Sequence, residues 1–291
     1  TSSVTITNTV NIAESANSNI TLNLNGTSTF KQTANANQTK AGMADGAVGT
    51  INVAGGTATF ERDLILGAGG TGQGKLVINS GTVNAATATE RWLILNQATG
   101  SGSGVIEVNG GTLNLNTNTD IRMSQNATSA GTNTVTLTSG AITGYSGNQT
   151  GLGAGSVVDL ANSGNASANN TFNLNGGTLS IGQIITNSNT PTAAFNFNGG
   201  TLKANGSSAN FVDLGGASQT VNIKSGGAII DSNSFNVTVV DSLKNGISGT
   251  DGGLTKTGAG TLTLPATNTY TGPTLVNGGT LLISGSINSS S

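Results

Sequence analysis

The sequence predicts an all-β chain: a single-stranded, right-handed parallel β-helix, a solenoid of about 11 or 12 irregular rungs. Three observations carry this prediction. Gly, Thr, Asn and Ser make up 158 of 291 residues, while charged residues are 8% and aromatics 3%. An average soluble domain has about 25% charged residues, so neither a charge-coated helical surface nor one large aromatic core fits this chain. Apolar residues recur with a period of two, the mark of a strand with one buried face. One pattern also returns every 25 residues or so, the length of a whole coil rather than the 8–12 residues of a meandering strand.

The repeated pattern is apolar, any residue, apolar, then a small polar residue, a glycine-containing turn and a second short strand. It runs through INVAGGTATF from Ile51, LVINSGTVNA from Leu76, IEVNGGTLNL from Ile106 and VTLTSGAITG from Val135. It continues as FNLNGGTLSI from Phe172, FNFNGGTLKA from Phe195, VNIKSGGAII from Val221 and TLVNGGTLLI from Thr274, with a weaker copy from Leu22. Thr, Val, Ile and Phe suit pleated strands. The Asn-Gly-Gly-Thr step is a turn, because Gly takes positive φ at little cost and Asn tolerates it. A second apolar trio follows several copies: Leu64 to Leu66, Leu93 to Leu95, and Phe211 to Leu214. A unit of two or three short strands cannot bury its own apolar face, whereas stacked copies can, pairing in parallel at about 4.8 Å. A sandwich or barrel of hairpins is the competing architecture, since a Gly-Gly turn also suits a hairpin. No segment keeps a helical period.

The predicted organisation is irregular rungs over 1–251, with 1–30 as a cap or first rung. A denser unit covers 252–283, and a tail over 284–291 leads toward a further rung. The segment starts at Thr1 with no leader pattern, which is expected of a mature or excised piece of a longer chain.

Residues Gly252 to Ile283 read GGLTKTGAGTLTLPATNTYTGPTLVNGGTLLI. The ordered elements are Gly253-Leu254-Thr255-Lys256, Gly258, Gly260, Thr261-Leu262-Thr263-Leu264, Asn268-Thr269-Tyr270-Thr271-Gly272, Thr274, Val276 and Gly279-Thr280-Leu281. This stretch closely resembles the autotransporter-associated β-strand repeat of bacterial secreted and surface proteins. Pro265 and Pro273 depart from that pattern. The resemblance implies a β-helical passenger of a type V-secreted protein that crosses the outer membrane unfolded, C-terminus first, and folds outside. It implies a structural and transport role for the module. Read from the residues alone, Leu254, Leu262, Leu264, Leu275, Leu281 and Ile283 alternate with Thr and Gly and are expected to face a core over two more rungs.

Composition excludes several chemistries. There is no His and no Cys, which removes Ser-His-Asp triads, Cys nucleophiles and the usual zinc, haem and iron–sulfur sites. With ten Lys and Arg and a net charge of −2, there is no basic stripe for nucleic acid. No apolar run approaches the ~18–20 residues of a membrane-spanning helix. No cofactor and no metal site are expected.

The remaining candidates are carboxylates and one aromatic. Asp159, Asp213, Asp231 and Asp241 each follow a strand end, where Asp commonly caps turns. Stacked rungs could instead align them into an acidic column for ions or acid–base work. Glu61-Arg62-Asp63, Glu90-Arg91 and Asp120 with Arg122 recur near the second strand. They read as a surface ion-pair ladder, or as a glycan contact line in which Trp92, Arg91 and Arg62 take part. Phe172, Phe195 and Phe197 fall at inward positions and read as a core stack. The functional expectation is a non-enzymatic extracellular stalk or passenger segment that aids export and folding. It would contact neighbouring rungs of a longer chain and present other parts, with adhesion or end-to-end self-association, and a glycan or host receptor as a partner. It would sit outside the cell, anchored to the outer membrane by a region outside this chain. The alternative is a carbohydrate-active β-helical enzyme or a glycan-binding module using the acidic column.

Overall fold

A computed structural model describes residues 2–33, 38–88, 91–116, 119–146, 148–149 and 153–288. Among them there is no helix; parallel strands stack into a β-solenoid. Each coil lays down three short strands. The first two join a 17-stranded sheet and the third joins an 11-stranded sheet. In the early coils the first two strands run together, as in Asn19–Gln32, Val48–Phe60 and Gln73–Ala85. Later they separate at the glycine turn, as in Asn169–Leu174 and Thr178–Ile181. The apolar trios read from the sequence are the third strands: Leu64–Leu66 pairs with Trp92–Leu95, residue for residue from Leu64 and Leu93. The first residues already belong to this stack, since Ser3–Ile6 pairs with Thr29 to Gln32.

Registration puts like residues over like. In the first ladder Leu22, Ile51, Leu76, Ile106, Val135, Phe172, Phe195, Val221 and Leu243 are successive partners. From Ile51 onward each has no exposed surface. Because side chains alternate across a strand, a one-residue slip would turn this whole column outward. The phenylalanines meet as the sequence implied. Phe172 and Phe195 lie 5.2 Å apart between ring centroids, and Phe195 meets Phe197 edge-on at 4.9 Å. Outward columns carry amide ladders. Asn52 donates to Asn23 at 2.8 Å, Asn79 to Asn52 at 3.1 Å and Asn109 to Asn79 at 3.1 Å.

The glycine turn is imposed by the stack. Gly81, Gly111, Gly140 and Gly177 take φ of 80°, 69°, 78° and 63° in successive coils. A Cβ on Gly177 would lie 2.5 Å from the carbonyl oxygen of Gly140 below it. Positive φ and the close approach of the next coil both demand glycine there, which explains the recurring Gly-Gly.

One part of the sequence reading needs correction. Leu254, Leu262 and Leu264 are buried and Leu281 packs partly against the core, but Leu275 and Ile283 are exposed. Leu275 is in register with Thr255, in the outward row; the inward place beside it belongs to Val276, opposite Lys256. Counting apolar alternation from the leucines slipped by one residue at that strand. Ile283 does sit opposite Leu264, in the inward row.

The inward and outward columns differ in what they contribute. Phe195→Ala should lower stability by about 3–5 kcal/mol through lost burial and a residual cavity. Asn196→Ala, which removes only outward amide bonds to Asn173 and Asn222, should cost about 1 kcal/mol. Urea unfolding of the two variants checks the ranking; equal losses would contradict the face assignment.

Candidate functional site

The singled-out motif residues converge on the junction of two coils, residues 251–258 and 268–286. The second ladder has Ala58, Val83, Leu113, Ile142, Leu179, Leu202 and Ile230 at successive inward places, and the next place is Lys256. Lys256 has no exposed surface. Its Nζ donates to the carbonyl oxygens of Thr257 at 2.6 Å, Gly258 at 2.7 Å and Gly278 at 3.0 Å. All three ammonium protons are thereby used, two on its own coil and one on the next. Burial pushes this ammonium below its ordinary range, and the charge of Asp231 partly restores it. The motif glycines make the room. A Cβ on Gly279 would lie 2.7 Å from the Gly258 oxygen and 3.0 Å from Lys256 Nζ. Gly258 and Gly260 take φ of 70° and 89°.

An anion faces the same junction. Asp251 is 4% exposed. Its Oδ1 accepts from the amides of Gly253 and Gly272, both at 2.9 Å, and its Oδ2 accepts from the Thr271 amide at 2.8 Å and the Thr271 hydroxyl at 3.3 Å. Asn268 adds a third staple. It accepts from the Leu243 amide at 3.0 Å and donates to the oxygens of Ala266 and Ser286 at 2.9 and 3.0 Å, so it touches three coils. Tyr270 is fully buried with its hydroxyl 2.7 Å from Thr274 Oγ1, and burial raises its phenol above the usual range. Leu254, Leu262 and Leu264 of the same motif are buried in the core. The motif read from the sequence holds Lys256, Asn268, Tyr270, the three leucines and the glycines at 253, 258, 260, 272 and 279, but not Asp251. The signal available for it was its place just before the Gly-Gly turn.

The four strand-end aspartates do not share one column. Asp159 and Asp213 are two coils apart with Ile185 between them, and Asp231 lies on the larger sheet opposite Lys203 and Thr257. Lys203 reaches it at 3.9 Å. Burial raises the Asp241 carboxyl above its ordinary range, and the charge of Asp213 adds to this. Asp159 is raised by burial, although Asn162, Asn187 and Ala161 donate to it. Among the described residues no three acidic side chains gather as a metal cluster.

The second candidate group is divided. Trp92 keeps its amide on Asp63 Oδ1 at 3.0 Å, and Arg122 lies over its ring at 4.3 Å. Arg122 also pairs with Asp120 at 3.3 Å, and Asp120 accepts from the Val157 amide at 2.9 Å. Lys31 pairs with Glu61 at 2.7 Å. Arg62 and Arg91 precede in-register strands one coil apart; neither is the arginine that covers Trp92. Glu90 lies outside the described residues.

Lys256→Met removes the charge but leaves three carbonyls without their donor. It should destabilise the chain by about 1–3 kcal/mol. Since burial lowers the folded-state pKa of Lys256, the unfolded chain binds more protons up to the ordinary lysine value. The lysine's contribution therefore rises with pH across that window and levels off above the ordinary lysine value. The stability difference between the parent chain and Lys256→Met, measured by denaturant titration, should widen from pH 8 toward that value. A narrowing difference would mean that the three carbonyls outweigh the burial cost.

No curated protein and no solved structure matches the chain. A family model does match: residues 254–283 correspond to the passenger-associated-transport-repeat. The match covers about a tenth of the 291 residues and coincides with the stapled junction. Residues 254–283 thus resemble a passenger-associated-transport-repeat, and that likeness on a parallel β-solenoid fits an autotransporter passenger repeat protein.

Proposed function

We propose that this chain is a non-enzymatic structural segment of a secreted or surface-displayed bacterial passenger. It extends the solenoid and presents other parts of the protein, and residues 254–283 anchor its folding. The observation that carries this reading is the junction at Lys256 and Asp251. A buried cation and a buried anion each bind backbone groups of two successive coils. Neither ion is satisfied until the second coil docks, so the pair rewards one registration and penalises others. Stability in a stacked array is a sum of coil terms and neighbour interfaces, and folding propagates from the strongest interface. A C-terminal unit that folds first outside the cell would template the coils upstream. The carboxylates elsewhere support the structural reading, because Asp63, Asp120, Asp159 and Asp251 are engaged with backbone amides. Anchorage to the outer membrane belongs to a region outside this chain.

Leu264→Asp places a charge at a fully buried position of the anchor and should cost about 3–5 kcal/mol. If the module is the nucleus, protease protection should fall along the whole chain, read by limited proteolysis with mass spectrometry. Loss confined to residues near 264 would overturn the anchor role. Incubation with pectin, alginate and chitin-type polymers should show no cleavage. Cleavage that disappears in Asp159→Ala or Asp213→Ala would overturn the non-enzymatic reading.

A further inference from the structure

The corner where the chain leaves the smaller sheet for the next coil holds an aspartate in several coils, and most of them meet donors. Asp45 accepts from the Thr71 amide at 2.9 Å, Asp159 from Asn162 and Asn187 at 2.7 and 2.6 Å, and Asp241 from the Leu214 amide at 2.5 Å. Asp213 accepts no hydrogen bond among the described residues.

Other side-chain oxygens lie at the same corner. A Cβ built on Gly215 would lie 3.8 Å from both Asp213 Oδ1 and Asn189 Oδ1. One built on Gly216 would lie 3.1 Å from Asn189 Oδ1 and would fall onto Gln219 Oε1. Gln219 is 3% exposed, and its Oε1 has no partner. Its orientation is fixed, because its Nε2 donates to the Pro191 oxygen at 2.6 Å. An unpaired buried amide oxygen is costly unless something positive meets it. Thus a carboxylate and two amide oxygens, from the corners of two successive coils, lie around Gly215 and Gly216. Where Asp159 occupies the same column two coils away, the amides of Asn162 and Asn187 supply the positive end; at Asp213 no donor does.

We propose that the Gly215–Gly216 corner is a calcium site, with Asp213, Asn189 and Gln219 as its protein ligands. Oxygen-only ligands select a hard cation. Ca²⁺ accepts irregular sets of six to eight oxygens, whereas Mg²⁺ demands a near-ideal octahedron. Two corners tied by the Gln219–Pro191 and Thr186–Leu214 hydrogen bonds offer irregular geometry, and water completes the shell. With one carboxylate the site belongs to the weak class of extracellular modules, on the order of 10⁻⁴–10⁻³ M. The ion would tie the two corners together and offset the repulsion between Asp213 and Asp241.

The test is calorimetric titration of the whole chain with CaCl₂ and, separately, MgCl₂. The parent chain should bind one Ca²⁺ in the stated range and Mg²⁺ at least about tenfold more weakly. Asp213→Asn and Asn189→Ala should each weaken Ca²⁺ at least about tenfold. In EDTA Asn189→Ala should melt like the parent and Asp213→Asn no lower than it, since neither side chain bonds within the protein and the second variant relieves the repulsion with Asp241; Ca²⁺ should raise only the parent's melting temperature. No saturable binding through the millimolar range, equal affinity in Asp213→Asn, or Mg²⁺ binding as tightly as Ca²⁺ would overturn the assignment. These outcomes are independent of the passenger reading, which the Leu264→Asp experiment addresses.

Discussion

In-register stacking of parallel strands is the constraint from which the rest of this structure follows. Each residue is covered above and below by residues at the same place in neighbouring coils. Local chemistry is therefore judged one column at a time. An inward column is apolar unless its polar members find partners inside, as where Asn133 donates to Asn170 at 2.8 Å, because an unpaired one would be sealed by its neighbours. An outward column is free, and asparagine exploits it because one amide donates to the next indefinitely, as in the Asn23 to Asn109 ladder. A turn column must match the path of the coil beneath. The glycines from Gly81 to Gly177 meet both demands at once.

The same constraint explains the placement of the few charges. Corners differ in length from coil to coil, so their backbone amides cannot all pair with the coil below. Short acidic side chains reach them: Asp63 takes the Trp92 amide and Asp120 the Val157 amide in the coil above. A buried carboxylate that receives several amides is a stitch. Asp213 breaks this habit, and for that reason its surroundings call for a cation instead of a donor.

Residues 251–286 push the principle further. Lys256 occupies a place that seven preceding coils fill with aliphatic side chains. Burying an ammonium without a carboxylate is expensive, and the expense is offset only by three well-placed carbonyls. A leucine there would accept many registrations; a lysine accepts the one that brings Gly278 within reach. Selectivity of this kind suits a unit that must set the alignment of everything stacked on it.

The strand periodicity, the coil-length repeat and the glycine turns determined the solenoid by themselves, because all three are properties of short windows. The phenylalanine core and the apolar third strands were legible for the same reason. The resemblance over residues 252–283 marked Lys256, Asn268 and Tyr270, but composition and spacing did not say that a lysine would lie inside. Only stacking decided that, since the carbonyl of Gly278 is 22 residues away from Lys256. Tertiary structure also moved Leu275 outward, separated Asp159 from Asp213 by one coil, and placed Arg122 rather than Arg62 or Arg91 on Trp92. It brought Asn189 to the corner of Asp213 across a coil boundary. Each of these turns on which residue of one coil faces which residue of the next. That pairing depends on loop lengths summed around a whole turn, and no window shorter than a turn contains it.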